Sequence, residues 1–490
     1  MKRNDVTTRL IERRWVPYLL AAALAVGYGA ALARDTKPVV AIAAVAVVVA
    51  LAALAPVANL ILFLGATSIV PYSLLKHLAA KSGPGLLPSD LLFLAGLGVS
   101  VALIVDQPLD GRRWRQLLAV VSLLLVVSVQ FAHGVRAGAS VSDAGADART
   151  VAQFGTVIIA TPLLARVASR QRLFRGLLIL GIALGLWGIV QWIAGVSFGG
   201  DVGVRSGVSY APGASGQLQG GLFGFPVAIV LATAALTSSA PRSTASKYAL
   251  GGILALNGVS LLLTYERTFW LATAFGCLVV IIRSGRAQRL RALAWTVAIV
   301  VATVAVMAVA APGTLTSARE RITSVGQYGS DDSVRYRLVE SQHVIAAVSR
   351  DPIAGSGLGA SIYWGQPWEQ VPPTHRSYSH DGYLWAAWKL GVPAAALLFA
   401  LLIVSAVSRP PPMGDAMALA LRKGAQAAVI ALLVVNVTFP VVNSLSITGM
   451  LGVLLAMCLM PVPPTEALRG VHRRSLGSVP APSPDDSVTV

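Results

Sequence analysis

The sequence predicts an all-α fold: a polytopic membrane helical bundle of about 12–14 transmembrane helices with one large extracytoplasmic loop. Three observations predict it. Hydrophobic residues make up 55% of the 490 residues and charged residues only 12%, with a mean hydropathy of +0.71; soluble domains average about 25% charged. Apolar runs recur that are long enough to cross ~30 Å of hydrocarbon, about 20 residues at roughly 1.5 Å each. Between those runs, Lys and Arg gather in alternate loops. The net charge of +18 is therefore a mark of topology and predicts no nucleic-acid partner. Cys277 and Cys458 each lie inside an apolar run. They offer no disulfide framework and no metal-ligand spacing, and read as small buried thiols.

Taken in order, the predicted spans are Val16–Ala33, Pro38–Ala55, Val57–Leu75, Ser89–Val105, Gln116–Ala132, Val151–Ala168 and Gly176–Gly195. They continue as Gly220–Ser239, Tyr248–Thr264, Thr268–Ile282, Ala292–Ala311, Asp381–Val407, Ala425–Val442 and Ser446–Met460. The second and third meet at Pro56 with almost no loop, so one broken segment is an alternative. The first follows Lys2, Arg3, Arg9, Arg13 and Arg14 and ends on a signal-peptidase-like Ala-Leu-Ala. It exceeds the usual length of a signal-peptide core and reads as an uncleaved first helix. The chain divides into an N-terminal transmembrane bundle (1–311), a large extracytoplasmic loop (312–380), C-terminal transmembrane helices (381–461) and a Pro- and Ser-rich cytoplasmic tail (462–490).

Charge sets the orientation. With the N-terminus inside, 24 of the 39 basic residues fall on inner segments and 8 on short outer loops. This three-to-one bias is the positive-inside pattern of a cytoplasmic membrane protein. Six arginines, Arg319, Arg321, Arg335, Arg337, Arg350 and Arg376, lie on the large outer loop with His343, His375 and His380. The polar chemistry of the chain is concentrated there. No Asp or Glu falls in the middle of a predicted span, which argues against a proton-coupled transporter.

Each candidate residue has two readings. Arg267, in the tight turn Tyr265–Leu271, is either an interfacial arginine partnered by Glu266 or a guanidinium aimed at lipid-linked phosphate. Arg335 and Arg337 share a face in a strand and diverge on a helix. Read alone, they are solvated charges paired with Asp331, Asp332 or Glu340. The glycine-rich Gly355–Gly359 is not a phosphate-loop motif and reads as a turn leading back to the membrane. His380 is either a helix-start histidine held by a loop carbonyl or a base at the membrane surface, because histidine changes charge close to neutral pH. Lys389 is expected to snorkel, or its helix to start above the bilayer. Trp364, Trp368 and Tyr378 are interfacial anchors or platforms for sugars.

Together these residues resemble the O-antigen ligase and O-antigen polymerase superfamily of bacterial envelope enzymes, over roughly residues 220–402. Arg267-Thr-Phe-Trp-Leu271 fits the family's Arg-x-x-x-Leu. Ser333–Leu338 followed by Asp351–Gly359 is similar to its loop signature, and His380 with Gly391 matches its histidine motif in spacing. Asp381 stands where Asn, Ser or Gln is usual, and Ala394 where Gly, Thr or Tyr is usual. The resemblance implies a glycan moved from a polyprenyl-diphosphate carrier to a hydroxyl of a glycan or lipid acceptor, at the outer face of the inner membrane, without metal or cofactor. It implies His380 as general base and Arg267, Arg335 and Arg337 on the diphosphate. Ligase and polymerase are not separated by these motifs. The alternative from another class is a non-catalytic glycan or lipid transporter.

Overall fold

The computed structural model describes residues 38–70, 87–105, 111–194, 222–238, 243–264, 266–310, 332–365, 374–409 and 415–460. The expected first span, the tail and Trp368 lie outside the described residues. The chain is mostly helical, as expected. The first half holds α1 (Pro38–Leu54), α2 (Pro56–Ser68), α3 (Pro88–Val105), α4 (Gly111–Arg136), α5 (Val141–Ala152), α6 (Thr156–Ala165) and α7 (Val167–Ala194). Next come α8 (Gly224–Leu236), α9 (Thr244–Leu262), α10 (Arg267–Ile282), α11 (Arg286–Ala310) and α12 (Asp332–Arg350). A short antiparallel ribbon follows, β1 (Ile362–Trp364) with β2 (Thr374–Arg376), pairing Ile362 with Arg376 and Trp364 with Thr374. The chain closes with α13 (Gly382–Leu390), α14 (Val392–Val407), α15 (Ala416–Val435) and α16 (Leu445–Cys458). Among the described residues, four stretches are long and apolar enough to cross a membrane: Val141–Ala165, Val167–Ile193, Thr244–Leu262 and Ala416–Val435. Eight shorter apolar helices accompany them.

Burial sorts the helices. Every residue of α8 is buried, as expected of a helix that is apolar all round and packed on every side. It touches α9, α10 and α15. On α11, by contrast, Leu290, Leu293, Val297, Val300, Val301 and Val304 are exposed. So large an apolar stripe suits a helix that faces lipid tails. Polar residues inside the bundle bridge helices: Asn257 donates to the Gly181 carbonyl at 3.0 Å and Ser260 to the Gly185 carbonyl at 2.9 Å, joining α9 to α7. Such bonds join helices where lipid supplies no hydrophobic drive between them.

Several expected boundaries move. Residues 38–68 keep the two expected helices rather than one broken segment, with the second starting at Pro56, which opens α2 after Ala55 leaves helical geometry. The sixth span starts earlier than Val151: α5 begins at Val141, capped by Ser140, and runs through a 3₁₀ turn into α6. Asp147, which lay before the expected span, is therefore inside a candidate span, in its first third. The expected span Asp381–Val407 breaks in two at Gly391, whose φ of +83° and following Pro393 end one helix and start the next.

That break holds the glycine-rich segment. Val392 donates to the Pro352 carbonyl at 2.8 Å, Ser356 to Trp388 at 2.7 Å and Leu358 to Gln130 of α4 at 3.0 Å. Gln130 donates back to the Ala354 carbonyl at 2.8 Å. Gly357 has φ +82°, and a Cβ there would lie 2.4 Å from the backbone nitrogen of Gly134. Residues 351–359 are thus not a free turn but a clasp pressed between α4, α5 and α13, with Leu358 buried completely. Lys389 lies under it. It is fully buried rather than snorkelling, pairs with Asp147 at 3.0 Å, donates to the Ala360 carbonyl and sits over the Trp388 ring. Asp147 also accepts from the Gly359 N–H at 2.8 Å.

Three of the basic residues expected on the inner side, Arg170, Arg283 and Arg422, bind around the end of α14 and the first turns of α15. Arg170 pairs with Asp415, the cap of α15. Arg283 donates to the Ala406 carbonyl at 3.0 Å and to Gln426 at 2.9 Å, while Gln426 and Arg422 both reach Ser408. Cations placed on the last carbonyls of helices are favoured by the helix dipole.

Candidate active site

Helix α12 carries Tyr336, Glu340 and Val344 on one face at the i, i+4 spacing. This face packs toward the start of α13. There Glu340, 2% exposed, meets His380, 15% exposed. The His380 backbone N–H donates to Glu340 Oε2 at 2.8 Å, and Nδ1 lies 3.0 Å from Oε2 and 3.2 Å from Oε1. A carboxylate only accepts, so Nδ1 is the nitrogen that carries the hydrogen, and in the neutral imidazole the lone pair is then on Nε2. Asp381 next door is spent on α13: its carboxylate accepts from the N–H groups of Tyr383 at 2.8 Å and Leu384 at 3.0 Å. The histidine is therefore held by a carboxylate forty residues upstream and not by a loop carbonyl.

Aromatic rings fix the imidazole from its other sides. Tyr378 and Tyr336 meet it edge-on, with centroids 5.0 and 5.4 Å away. Tyr336 is held by Arg376, which donates to its hydroxyl and lies 4.6 Å over Trp364. Phe439, in the turn after α15, connects the remaining parts. Its ring is 6.4 Å from His380, lies under the Arg337 guanidinium at 5.7 Å, and is 5.1 Å from Phe269 of α10. Arg267 opens α10, half-buried, at a helix start without a side-chain cap. A helix start of that kind favours anions.

The structure thus brings Arg337 and His380 around one ring, and packs Phe269, two residues after Arg267, against that same ring. It separates Arg335 from Arg337, because residues two apart on a helix point about 200° apart; Arg335 is exposed and Arg337 half-buried. Trp364 is 3% exposed, stacked by His343 and covered by Arg376, so its faces are occupied by protein. Tyr378 lies beside the histidine with its hydroxyl buried. Burial pushes the Tyr378 phenol well above its ordinary range; Glu340 acts the same way, and Arg337 opposes it. Among the described residues no group of three His, Cys, Asp or Glu is placed to hold a metal ion.

Sequence reasoning missed Glu340 as the partner of His380 and Phe439 as the shared neighbour. Glu340 was readable only as a possible partner for Arg335 or Arg337. Its signal was the helical phase of Tyr336, Glu340 and Val344, which required α12 to be known as a helix. Phe439 had no local signal: it fell inside an expected span, whereas α15 ends at Val435.

No curated protein matches the chain. Residues 252–399 match the family model described as O-antigen ligase. That stretch contains Arg267, Arg335, Arg337, Glu340 and His380. This match, on a bundle of apolar helices, supports assigning the chain to the O-antigen ligase and polymerase superfamily of membrane glycan-transferring enzymes.

Proposed function

We propose that the chain moves a glycan from a polyprenyl-diphosphate carrier to a hydroxyl of a glycan or lipid acceptor, at the outer face of the inner membrane and without metal. The observation that carries this reading is the Glu340–His380 pair, in which Glu340 is bound at Nδ1 and Nε2 is the nitrogen left for an acceptor proton, within the cluster that also holds Arg337. In the reaction Nε2 takes the proton of the acceptor hydroxyl as its oxygen bonds to the anomeric carbon. The bond from that carbon to the phosphate oxygen breaks from the opposite side, and the electron pair leaves with the diphosphate. The configuration inverts. Charge grows on the leaving diphosphate, so Arg337 and Arg267, with Arg335 at the rim, stabilise the transition state more than the ground state. The imidazolium that forms faces Glu340, and charge-assisted pairing stabilises it. The three-to-one bias of basic residues supports the outer placement of residues 312–380, between the bundle (1–311) and the C-terminal helices (381–461).

The test is turnover of purified protein in lipid with a lipid-linked donor. His380→Ala is expected to lower it by roughly 10²–10⁴-fold, the range for loss of a general base, and chelator to leave the wild-type rate unchanged. Near-normal turnover by folded His380→Ala protein overturns the mechanism. An absolute divalent-cation requirement overturns the account of the leaving group.

A further inference from the structure

Among the described residues, the buried Tyr378 hydroxyl has no hydrogen-bond partner. It does not reach Glu340, which is occupied by His380. Buried hydroxyls are nearly always paired, and one that is not calls for an explanation. A phenylalanine would fill the same volume without an orphaned group. The ring is fixed edge-on to His380 at 5.0 Å, and the phenol feels the charges of both Glu340 and Arg337. Arg337, on Phe439 beside the same imidazole, makes the surroundings suited to an anionic or oxygen-rich group. A neutral phenol in such a place can donate a hydrogen bond and has no acceptor among the described residues.

We infer that Tyr378 is a substrate-contacting residue: its O–H donates to an oxygen of the lipid-linked donor, a diphosphate oxygen or an oxygen of the sugar attached to it. This rests on the transferase reading of the site, and it differs from the expectation that the Tyr378 ring stacks on sugars. In the inferred role the hydroxyl does the binding and the ring only positions it.

Tyr378→Phe separates the two, since it removes the hydroxyl and keeps the ring. Turnover and thermal stability are measured with purified protein in lipid, alongside His380→Ala. The expected result is a fall in kcat/KM for the donor of about 10- to 100-fold, the effect of losing a hydrogen bond to a charged or strongly polar acceptor. The substrate-free protein should melt at the wild-type temperature or slightly above it, because no protein bond is lost. A structural hydroxyl gives the reverse: lower stability and little kinetic change. Inhibition by sugar-free polyprenyl diphosphate locates the acceptor. If the variant is inhibited less than wild type, the phenol holds the diphosphate. If inhibition is unchanged while the intact donor is used less well, it holds the sugar. Wild-type kcat/KM in Tyr378→Phe, with His380→Ala inactive, overturns the inference and leaves the transferase reading standing. Wild-type activity in both variants overturns the inference and removes His380 as the base as well, whereas no turnover by the wild-type protein overturns the transferase reading itself.

Discussion

Glu340→Gln tests the arrangement of the proposed base directly. The substitution keeps the shape of the side chain and removes its charge. In the native protein the carboxylate accepts from the His380 N–H at 2.8 Å and faces Nδ1 at 3.0 and 3.2 Å, with 2% of the side chain exposed. Little water is available to substitute for it. An amide oxygen can keep one of these bonds, but its NH₂ group cannot accept the other. When the imidazole takes up a proton, the native pair becomes anion and cation. A hydrogen bond to a charged group contributes about 1.5–3 kcal/mol and a neutral one about 0.5–1.5. The difference of about 1–2 kcal/mol corresponds to a loss of about 5- to 30-fold in turnover, at roughly 1.4 kcal/mol per tenfold. KM for the donor should change little, because Glu340 faces the base and not the arginines. Glu340→Ala removes both bonds and leaves a buried N–H unpaired. It should approach the His380→Ala rate and cost about 1–3 kcal/mol of stability. The assay is turnover with lipid-linked donor, with melting followed on the same preparations. Wild-type turnover by folded Glu340→Gln protein would refute the reasoning and reduce Glu340 to a structural cap.

Three further outcomes follow from the same geometry. Arg337→Ala should raise donor KM and lower turnover more than Arg335→Ala, since only Arg337 shares Phe439 with His380; equal losses in the two variants would count against the packing described. Arg337→Lys should restore only part, because an ammonium lacks the bidentate fork. Lys389→Met should cost about 3 kcal/mol by leaving Asp147 without its cation, and adding Asp147→Asn should recover part of the loss in a thermal melt; additive losses would show that the pair is not coupled. Gly357→Ala should prevent stable folding or lower the melting temperature sharply, because φ is +82° and the new Cβ would meet the Gly134 backbone at 2.4 Å; a wild-type melt would mean the clasp is not docked on α4.

The helical membrane bundle was legible because hydropathy and the 1.5 Å rise per residue are local properties. The boundaries that moved did so at local backbone signals whose weight depends on packing. Gly391 could have been a helix residue, and the segment 351–359 pressed against it decides that it is not. The order of motifs, Arg267, then the arginines of α12, then His380, was likewise written in the chain, and the residues 252–399 that match the O-antigen ligase family contain them all.

By itself, then, the sequence determined the membrane character of the chain, the order of its spans and the residue types available for transfer chemistry. Composition and periodicity carry that much without any knowledge of contacts. Only the tertiary structure decided the pairings: Glu340 with His380 across 40 residues, the Gly359 N–H with Asp147 across 212, and Arg337 apart from Arg335. The physical reason is that an ion pair or a shared ring requires two side chains within a few ångströms, and docking of helices sets that distance. A helix phase tells which residues share a face; it does not tell what the face will meet.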